Sequence, residues 1–353
     1  MNTPFKLLLV EDNQQDADVC RSSIATYKEQ KQRCIELVQC KSFDEAISAL
    51  NNTFDGAIID LKLANKGYQG NAVLERMKTA GLRVPTAIMT ATPGATQDHF
   101  TYIGTFKKGE VQYAEIFDLF WGIYNAGLTR IMGGRGVIEA SLNQVFFKNI
   151  LPQKDCWIHY GNQDPTRTEK ALLRHTLNHL LELLDCEVET SFPEEVYIHP
   201  PVSKIIKTGT VVEAKTASRV FMVLTPPCDL AIRTNGDFKT DRILLAEIED
   251  ETIISDVLKS KGPKGLPALF RNTHAPYYHW LPKTNFFLGG FLNFRKITAN
   301  TKTEFSENYK PPTVQVARPF AKDILARFAA YYGRQGQPDI DSEALVQKLC
   351  AKK

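Results

Sequence analysis

The N-terminal third of the chain contains five short apolar segments separated by helical patterns, and this alternation constrains the fold most strongly. Segments of this kind are typical of buried parallel strands joined by crossover helices. Such a sheet binds its ligands at the carboxyl ends of its strands. The sequence therefore predicts an α/β domain with a doubly wound, five-stranded parallel sheet. The predicted strands are residues 6–10, 35–40, 56–60, 85–90 and 102–106.

Polar side chains follow four of these strands, at the sheet edge where a ligand would bind. They are Glu11 and Asp12 after the first strand, Asp60 at the end of the third, Thr90 at the end of the fourth and Lys107 after the fifth. Carboxylates that lie close together repel one another, and a hard divalent cation usually completes such a cluster. We therefore expect Glu11, Asp12 and Asp60 to hold Mg²⁺.

The same residues fit a phosphoryl-transfer site. Asp60 offers a carboxylate nucleophile, and Mg²⁺ held by Asp12, Asp60 and a backbone carbonyl would neutralise the oxygens in transfer. Lys107 would supply positive charge opposite the metal, and Thr90 a hydroxyl that moves to meet the new phosphoryl oxygen. A domain whose acids serve only solubility would need neither Thr90 nor Lys107.

The segments LLLVEDN, AIIDL, IMTAT and FKKG occur in this order and resemble the four motifs of response-regulator receiver domains, which are CheY-like and flavodoxin-like in fold. The resemblance covers residues 4–126. It implies that Glu11 and Asp12 are the acidic pair, Asp60 the phosphoacceptor, Thr90 the switch hydroxyl and Lys107 the lysine of the site. It also implies Mg²⁺ as cofactor and a sensor histidine kinase, or a kinase-like ATPase, as partner.

Three departures from the family pattern concern the switch. The segment from Thr90 to Lys107 is short, so the fourth helix is expected to be reduced or replaced by a loop. Lys108 stands where the family usually has proline, and Gly104 stands where it has the aromatic switch residue, three residues before the lysine. These departures leave the phosphoryl chemistry intact but indicate a different relay to the output face. A receiver that has lost phosphorylation and serves as a docking module is an alternative, against which the presence of all five polar residues argues.

The remaining chain is expected to form two further regions after the receiver domain at residues 1–126. Residues 127–186 are predicted to be a helical connector, and residues 187–353 an α+β output domain with a small, SH3-like barrel sheet. Its predicted strands are residues 210–214, 219–225, 242–248 and 286–294. The closing segment, residues 317–334, is interpreted as an amphipathic helix whose aromatic side chains face the core and whose arginines face water. A helix over residues 165–184 presents leucines that pack on the connector or against a second subunit, as in a homodimer. His175 and His179 lie one turn apart on it and are interpreted as a solvated or interface pair.

Four residues of the output domain were considered as a catalytic site: Cys228, Asp229, His274 and His279. A histidine beside Cys228 could generate a thiolate, which would make the domain an effector enzyme such as a nuclease or a thiol hydrolase. The competing interpretation is a buried cysteine at a strand end beside an aspartate that bonds to its own turn, and we favour it. The domain has no helix-turn-helix pattern and no GGDEF-like turn, so a standard transcription factor is not predicted.

Charge and hydropathy bear on the partners and the compartment. Residues 1–139 have 15 Lys+Arg and 16 Asp+Glu, while residues 140–353 have 28 and 24, so the two parts carry −1 and +4 of the net +3. This diffuse excess permits nucleic-acid binding but does not indicate it. Seven scattered cysteines without a CxxC pair, no apolar run long enough to span a bilayer and no signal peptide predict a reduced, cytoplasmic protein.

The sequence thus predicts a cytoplasmic bacterial response regulator that a partner kinase phosphorylates on Asp60. Its output domain would respond to that change, and we expect no enzymatic activity beyond phosphoryl transfer to Asp60. By analogy, divergent receivers on unfamiliar output domains resemble components encoded beside kinase-like ATPases in bacterial defence loci.

Overall fold

The computed structural model describes residues 4–63, 67–96, 102–184, 190–234, 236–334 and 340–351. The chain divides into two compact units, Met1–Glu187 and Val188–Lys353. Among the described residues, no helix is both long enough and apolar enough to cross a membrane.

The first unit begins with five strands: β1 (Phe5–Val10), β2 (Ile35–Cys40), β3 (Gly56–Ile59), β4 (Thr86–Thr90) and β5 (Gly104–Lys107). All pair in parallel, in the order β2-β1-β3-β4-β5. The chain first steps to one side of β1 and then returns to the other side, which is the flavodoxin-like arrangement of a doubly wound sheet. The predicted fold class of this unit is confirmed.

Helices cover both faces of this sheet: α1 (Gln14–Lys31), α2 (Phe43–Ala49), α3 (Gln69–Thr79) and α4 (Tyr113–Asn125). Side chains alternate between the faces along each strand. Leu7 of β1 therefore packs with α1 and α4, while Leu8 packs with α2 and α3. The Ser42 hydroxyl accepts a hydrogen bond from the Glu45 amide at 3.2 Å, so α2 begins where its capping residues predict.

The connection between β4 and β5 is the segment in which the sequence predicts a reduced fourth helix. It contains a 3₁₀ turn at Pro93–Ala95, and residues 97–101 lie outside the described part of the chain. The fifth strand begins at Gly104 and includes Lys107, whereas the sequence predicted residues 102–106. The prediction of a reduced fourth helix falls partly on residues that the structure does not describe.

A group of helices that we name the helical arm follows α4: α5 (Leu128–Met132), α6 (Val137–Val145), α7 (Lys154–Gln163) and α8 (Pro165–Leu184). A π-helical turn at Phe146–Ile150 and a 3₁₀ turn at Leu151–Gln153 join α6 to α7. On the inner side of α8, the His175 ring lies 5.4 Å from the Trp157 ring of α7, and His179 Nδ1 lies 2.9 Å from the His175 carbonyl oxygen. The first contact places His175 in the packing between α7 and α8, while the second lies within α8.

A glycine-rich loop at residues 133–136 fixes the base of the helical arm to the rest of the first unit. The Gly134 amide donates to the Asn52 carbonyl at 2.7 Å, and a Cβ on Gly134 would lie 2.6 Å from the Asn52 Cβ. Arg135 pairs with Asp55, which is 7% exposed and precedes β3. Because Asp55 and Asp60 flank opposite ends of β3, the arm is anchored at the sheet edge opposite Asp60.

The described residues of the second unit form seven strands: β6 (Tyr197–Ile198), β7 (Thr210–Glu213), β8 (Val220–Val223), β9 (Ile243–Glu249), β10 (Tyr278–Leu281), β11 (Gly290–Asn300) and β12 (Val314–Val316). They form one curled antiparallel sheet in the order β10-β11-β9-β8-β7-β12-β6. This half-barrel agrees with the predicted α+β class. The strand predicted over residues 286–294 instead begins at Gly290, because Gly289 and Gly290 adopt positive φ angles of 71° and 138° in the turn before it.

The helices of the second unit are α9 (Thr252–Lys261), α10 (Leu266–Phe270), α11 (Lys302–Asn308), α12 (Arg318–Gly333) and α13 (Ser342–Cys350). Ile324 of α12 packs with Met222 on one face of the sheet, while Phe305 of α11 packs with Leu245 on the other. Phe328 of α12 also contacts the first of these cores. The aromatic side chains of α12 therefore contribute to packing, as the amphipathic interpretation of residues 317–334 predicts.

Candidate functional site

Three carboxylates meet at the carboxyl edge of the parallel sheet. Glu11 and Asp12 follow β1, and Asp60 follows the neighbouring strand β3. The Glu11 amide donates to Cys40 and the Asp60 amide to Val10, both at 2.9 Å, so strand pairing extends to these residues. Glu11 is 1% exposed and Asp60 is 6% exposed. One oxygen from each of the three carboxylates lies within 4.8 Å of the others, so the structure brings together the three predicted metal ligands.

The ammonium group of Lys108 lies among these carboxylates. Its Nζ donates to Glu11 Oε2 at 2.6 Å, Asp16 Oδ2 at 2.8 Å and Asp60 Oδ2 at 2.8 Å. The Lys108 side chain is 18% exposed. We name these residues, Glu11, Asp12, Asp16, Asp60 and Lys108, the acidic pocket.

Lys107, the predicted lysine of the site, lies outside the acidic pocket. Its Nζ pairs with Glu110, and half of its side chain is exposed. The Lys108 amide bonds to the Thr90 carbonyl at 3.0 Å, so strand pairing continues one residue beyond β5. Since side chains alternate along a strand, Lys107 and Lys108 leave the chain on opposite sides. The structure therefore places Lys108, and not the predicted Lys107, in the acidic pocket.

This shift of one residue changes the comparison with the receiver pattern. Gly109, with a φ of 82°, now follows the lysine, and a proline could not adopt that angle because its ring holds φ near about −65°. Thr105 now stands three residues before the lysine, so that position again lacks an aromatic side chain. Phe106, the neighbouring aromatic residue, packs in the core beside α1 and α4.

Thr90 lies at the same edge of the sheet as Asp60. It ends β4, which pairs with β3, and it is 1% exposed. Its Oγ1 accepts a long hydrogen bond of 3.4 Å from the Thr92 amide, while Asp60 Oδ1 accepts one of 3.2 Å from the Lys62 amide. The predicted switch hydroxyl thus ends the strand beside the predicted phosphoacceptor.

Burial and the hydrogen bonds of Lys108 act in opposite directions on the pKa values of the acidic pocket. It raises the pKa of Glu11 to about 7, although the hydrogen bond from Lys108 opposes this rise. Burial alone would lower the pKa of Lys108, but hydrogen bonds to Asp16, Asp60 and Glu11 outweigh it and raise the pKa above its ordinary value. Lys108 is therefore protonated at neutral pH, while Glu11 titrates near neutrality.

The donor set of the acidic pocket fits a small, hard cation. Carboxylate oxygens are the ligands that Mg²⁺ prefers. Glu11, Asp12 and Asp60 each offer one such oxygen, and these three oxygens lie within 4.8 Å of one another. The raised pKa of Glu11 indicates that Lys108 alone does not fully offset the burial of its charge. A second positive charge in the pocket would therefore favour the ionised form of Glu11.

Sequence reasoning missed two residues of the pocket, Asp16 and Lys108. Asp16 lies in the first turn of α1, where an acid also stabilises the helix N-terminus, so its position has a local explanation. Two adjacent lysines follow the fifth strand, and the motif alone does not distinguish which one faces the pocket. Since side chains alternate along a strand, Lys108 lies on the same side of the chain as Phe106, and Lys107 lies on the opposite side. That alternation could have indicated Lys108.

Comparison with solved structures bears on the first unit. A response regulator receiver protein from Pseudoalteromonas atlantica is 16% identical, with 34% of this chain and 98% of that chain covered and a TM-score of 0.28. The HemR receiver domain from Leptospira biflexa is 21% identical, with 34% and 92% covered and a TM-score of 0.27. The N-terminal part is similar to response-regulator receiver domains. No family model matches the sequence, and no curated protein matches it significantly.

The structure does not assemble the candidate catalytic residues of the output domain. Cys228 and Asp229 lie beyond the end of β8, where Cys228 is exposed and Asp229 Oδ1 is 3.8 Å from both the Cys228 sulfur and Lys239 Nζ. His279 lies in β10, three strands from β8 in the sheet order, and is buried. The backbone amide of His274 donates to the Ala268 carbonyl of α10 at 3.0 Å. The expectation of a buried cysteine is corrected to an exposed one.

An open groove of about 920 Å³ crosses the second unit, and sequence reasoning missed it. Two carboxylates of β9 lie in it, and Lys296 Nζ contacts Glu249 at 2.6 Å and Glu247 at 3.7 Å. Asn293 donates a further hydrogen bond to Glu249 at 2.9 Å. Because β9 alternates, Glu247 and Glu249 share one face of the strand, a relation that the sequence could have indicated.

Proposed function

We propose that the first unit is a phosphoacceptor domain and that Asp60 receives the phosphoryl group from a partner kinase. The observation that carries the proposal is the Asp60 carboxylate, buried at a strand end, hydrogen-bonded to Lys108 and clustered with Glu11 and Asp12. Solubility alone does not account for a lysine that contacts three carboxylates inside the domain. A cytoplasmic sensor histidine kinase, or a kinase-like ATPase, is the donor that the receiver-like fold favours.

In the proposed reaction, one Asp60 oxygen forms a bond to phosphorus while the bond from phosphorus to the donor breaks. The electron pair of that bond leaves with the donor group, which is the imidazole of a phosphohistidine or the carboxylate of an acyl phosphate. Mg²⁺ bound by Glu11, Asp12 and Asp60 would supply charge neutralisation at the transferred oxygens.

The residues of the chain would then hold the product in place. Lys108 can exchange its hydrogen bond to Asp60 for one to a phosphoryl oxygen, since its ammonium group already lies 2.8 Å from the Asp60 carboxylate. The Thr90 hydroxyl, at the end of the adjacent strand, would move to meet another phosphoryl oxygen. Thr105 stands where the family has an aromatic residue, which supports a relay to the output unit that differs from the family pattern.

The test is incubation of the full chain with Mg²⁺ and acetyl phosphate, followed by intact-mass measurement. We expect one acid-labile phosphoryl adduct, which is absent from the Asp60→Asn variant and absent when EDTA replaces Mg²⁺. A folded protein that forms no adduct would make the docking-module alternative the better one. An adduct that persists in Asp60→Asn would place the acceptor on another residue.

A further inference from the structure

The open groove of the second unit is lined by more acids than bases. Three cationic side chains line it, those of Arg219, Lys283 and Lys296. Six carboxylates line it, those of Glu213, Glu247, Glu249, Asp250, Glu251 and Asp256, so the lining carries a net charge of −3. The volume of about 920 Å³ lies at the upper end of the range of ligand pockets, ~300–1,000 Å³. The groove is therefore large enough for a ligand, and its charge favours a cationic one.

The β9 side of the groove already holds one ammonium group of the chain itself. Lys296 Nζ lies 2.6 Å from Glu249 and 3.7 Å from Glu247. Burial alone would raise the pKa of Glu249, but its hydrogen bonds outweigh burial and lower the pKa below its ordinary value. These bonds come from Lys296, Tyr278 and Asn293. Glu249 is therefore ionised at neutral pH, and this side of the groove accepts an amine beside its carboxylates.

The acids on the α9 side of the groove have no such partner. Within the described part of the chain, no cation pairs with Asp250, Glu251 or Asp256. Asp250 Oδ1 accepts a hydrogen bond from the Thr252 amide at 3.1 Å, which ties that carboxylate to the start of α9. Glu251 and Asp256 are exposed. These two carboxylates are therefore free to pair with a cation that a ligand supplies.

A fixed apolar wall adds a second requirement on the ligand. The wall consists of Phe286, Phe287 and Leu288, in the turn before β11. The Phe286 ring stacks on His199 at 4.3 Å with an interplanar angle of 2°, and the Phe287 ring meets Tyr197 edge to face at 5.1 Å. Leu288, which follows these packed rings, is 78% exposed. The packing thus holds the turn in place and leaves the Leu288 side chain uncovered.

We propose that the groove of the second unit binds a short segment of a partner protein that carries both basic and apolar side chains. Its lysines or arginines would pair with Glu251 and Asp256, while an apolar side chain would pack on Leu288. A free polyamine would leave the apolar wall uncovered, and a nucleic acid would bring its phosphates beside an excess of carboxylates. The proposal rests on the second unit alone, so its failure would leave the phosphoacceptor proposal for Asp60 unchanged.

Fluorescence anisotropy with the full chain tests the charge requirement, and the probe is a short labelled peptide of alternating lysine and leucine. We expect saturable binding that weakens at high salt, and no binding of a peptide with glutamate in place of lysine. Glu251→Gln/Asp256→Asn should weaken binding about fivefold, because exposed ion pairs each contribute little. The matched control is Glu307→Gln/Glu343→Gln, which removes the same charge from two exposed acids outside the groove and should bind as the wild-type chain does.

Leu288→Ser tests the apolar requirement in the same assay. It should weaken binding of the lysine–leucine peptide about tenfold, but not the weaker binding of a lysine–serine peptide. Leu349→Ser, at a leucine of α13 that is 71% exposed, should change neither. All of the substituted side chains are exposed, so the variants should keep the wild-type melting temperature. No saturable binding by the wild-type chain, equal weakening by a groove variant and its control, or tighter binding of a labelled single-stranded oligonucleotide than of the peptide would overturn the proposal.

Discussion

Replacing Lys108 by Met tests the assignment of the pocket lysine most directly, because Lys107 next to it provides a matched control. The Lys108 ammonium contacts Glu11, Asp16 and Asp60 within 2.8 Å. Two of these carboxylates are buried, so removal of the cation leaves their charges unpaired, which costs about 3 kcal/mol of folding free energy without metal. Saturating Mg²⁺ should restore most of that loss, because the metal neutralises the same carboxylates.

The rate of phosphorylation should respond differently. A preorganised donor to the oxygens in transfer contributes about 100-fold to 1,000-fold in rate, and Mg²⁺ at another position cannot replace it. We therefore expect Lys108→Met to form the acetyl phosphate adduct about 100-fold more slowly even in Mg²⁺ that restores its stability. Thermal melts with and without Mg²⁺, together with the time course of the intact mass, measure both effects.

Lys107→Met should behave as the wild-type chain does in both assays. Its pair with Glu110 is half exposed, and such surface pairs contribute at most about 1 kcal/mol. If Lys107→Met slowed adduct formation and Lys108→Met did not, Lys108 would not assist phosphoryl transfer to Asp60, despite its position in the pocket.

Three further predictions concern buried or closely packed groups. Burial in the folded protein raises the pKa of Glu11 from 4.5 to about 7, so the folded state holds the Glu11 proton more tightly than the unfolded state does. The stability that this proton contributes is fully present below pH 4.5 and is lost as the pH rises through 7. Glu11→Gln should accordingly stabilise the metal-free protein by about 2 kcal/mol at pH 8 but not at pH 4.5, as measured by urea denaturation in EDTA. Burial, with Arg327 as a further cause, lowers the pKa of His279 from 6.5 to about 3, so its contribution is present above pH 6.5 and is lost as the pH falls toward 3. The second unit should therefore lose about 3 kcal/mol between pH 6.5 and pH 4, and His279→Leu should remove that dependence in acid denaturation; an unchanged pH profile would contradict it. Gly134→Ala should destabilise the first unit by about 1–3 kcal/mol, because its new Cβ would overlap Asn52, and hydrogen exchange should show faster opening at residues 128–139; unchanged exchange would show that the loop does not fix the arm.

The fold of the first unit was predictable because each of its strands carries a local signal. The apolar run at residues 56–59, for example, predicts a strand, and Asp60 directly after it marks the edge of the sheet at which the functional side chain lies. Pocket residues at strand ends were therefore identified from sequence. Lys107 and Lys108 are adjacent at the end of a short strand, so their side chains leave it on opposite sides. The exact alignment of that strand decides that Lys108 enters the pocket and that Lys107 pairs with Glu110.

The second unit was less predictable because its strands are short and its pairing is non-local. Residues 210–213 and 220–223 were placed closely, since the first contains two adjacent valines and the second is an uninterrupted apolar run. The start of β11 was not, because residues 286 and 287 are aromatic but belong to the preceding turn, where Gly289 and Gly290 reverse the chain. The groove at Glu247 and Glu249 depends on β11 supplying Lys296 from a distant part of the sequence.

The positions of Asp55 and Asp60 at opposite ends of β3 bear on how a phosphorylation signal could travel. Roughly 16 Å of strand separate the two residues, and β3 is hydrogen-bonded to β1 and β4 along its length. Loading Asp60 changes charge at the carboxyl edge, whereas the contacts that hold the helical arm lie at the amino edge, where Arg135 pairs with Asp55. The structural change on loading Asp60 is therefore expected at Thr90, which ends the neighbouring strand at the same edge, rather than at the contacts that hold the helical arm.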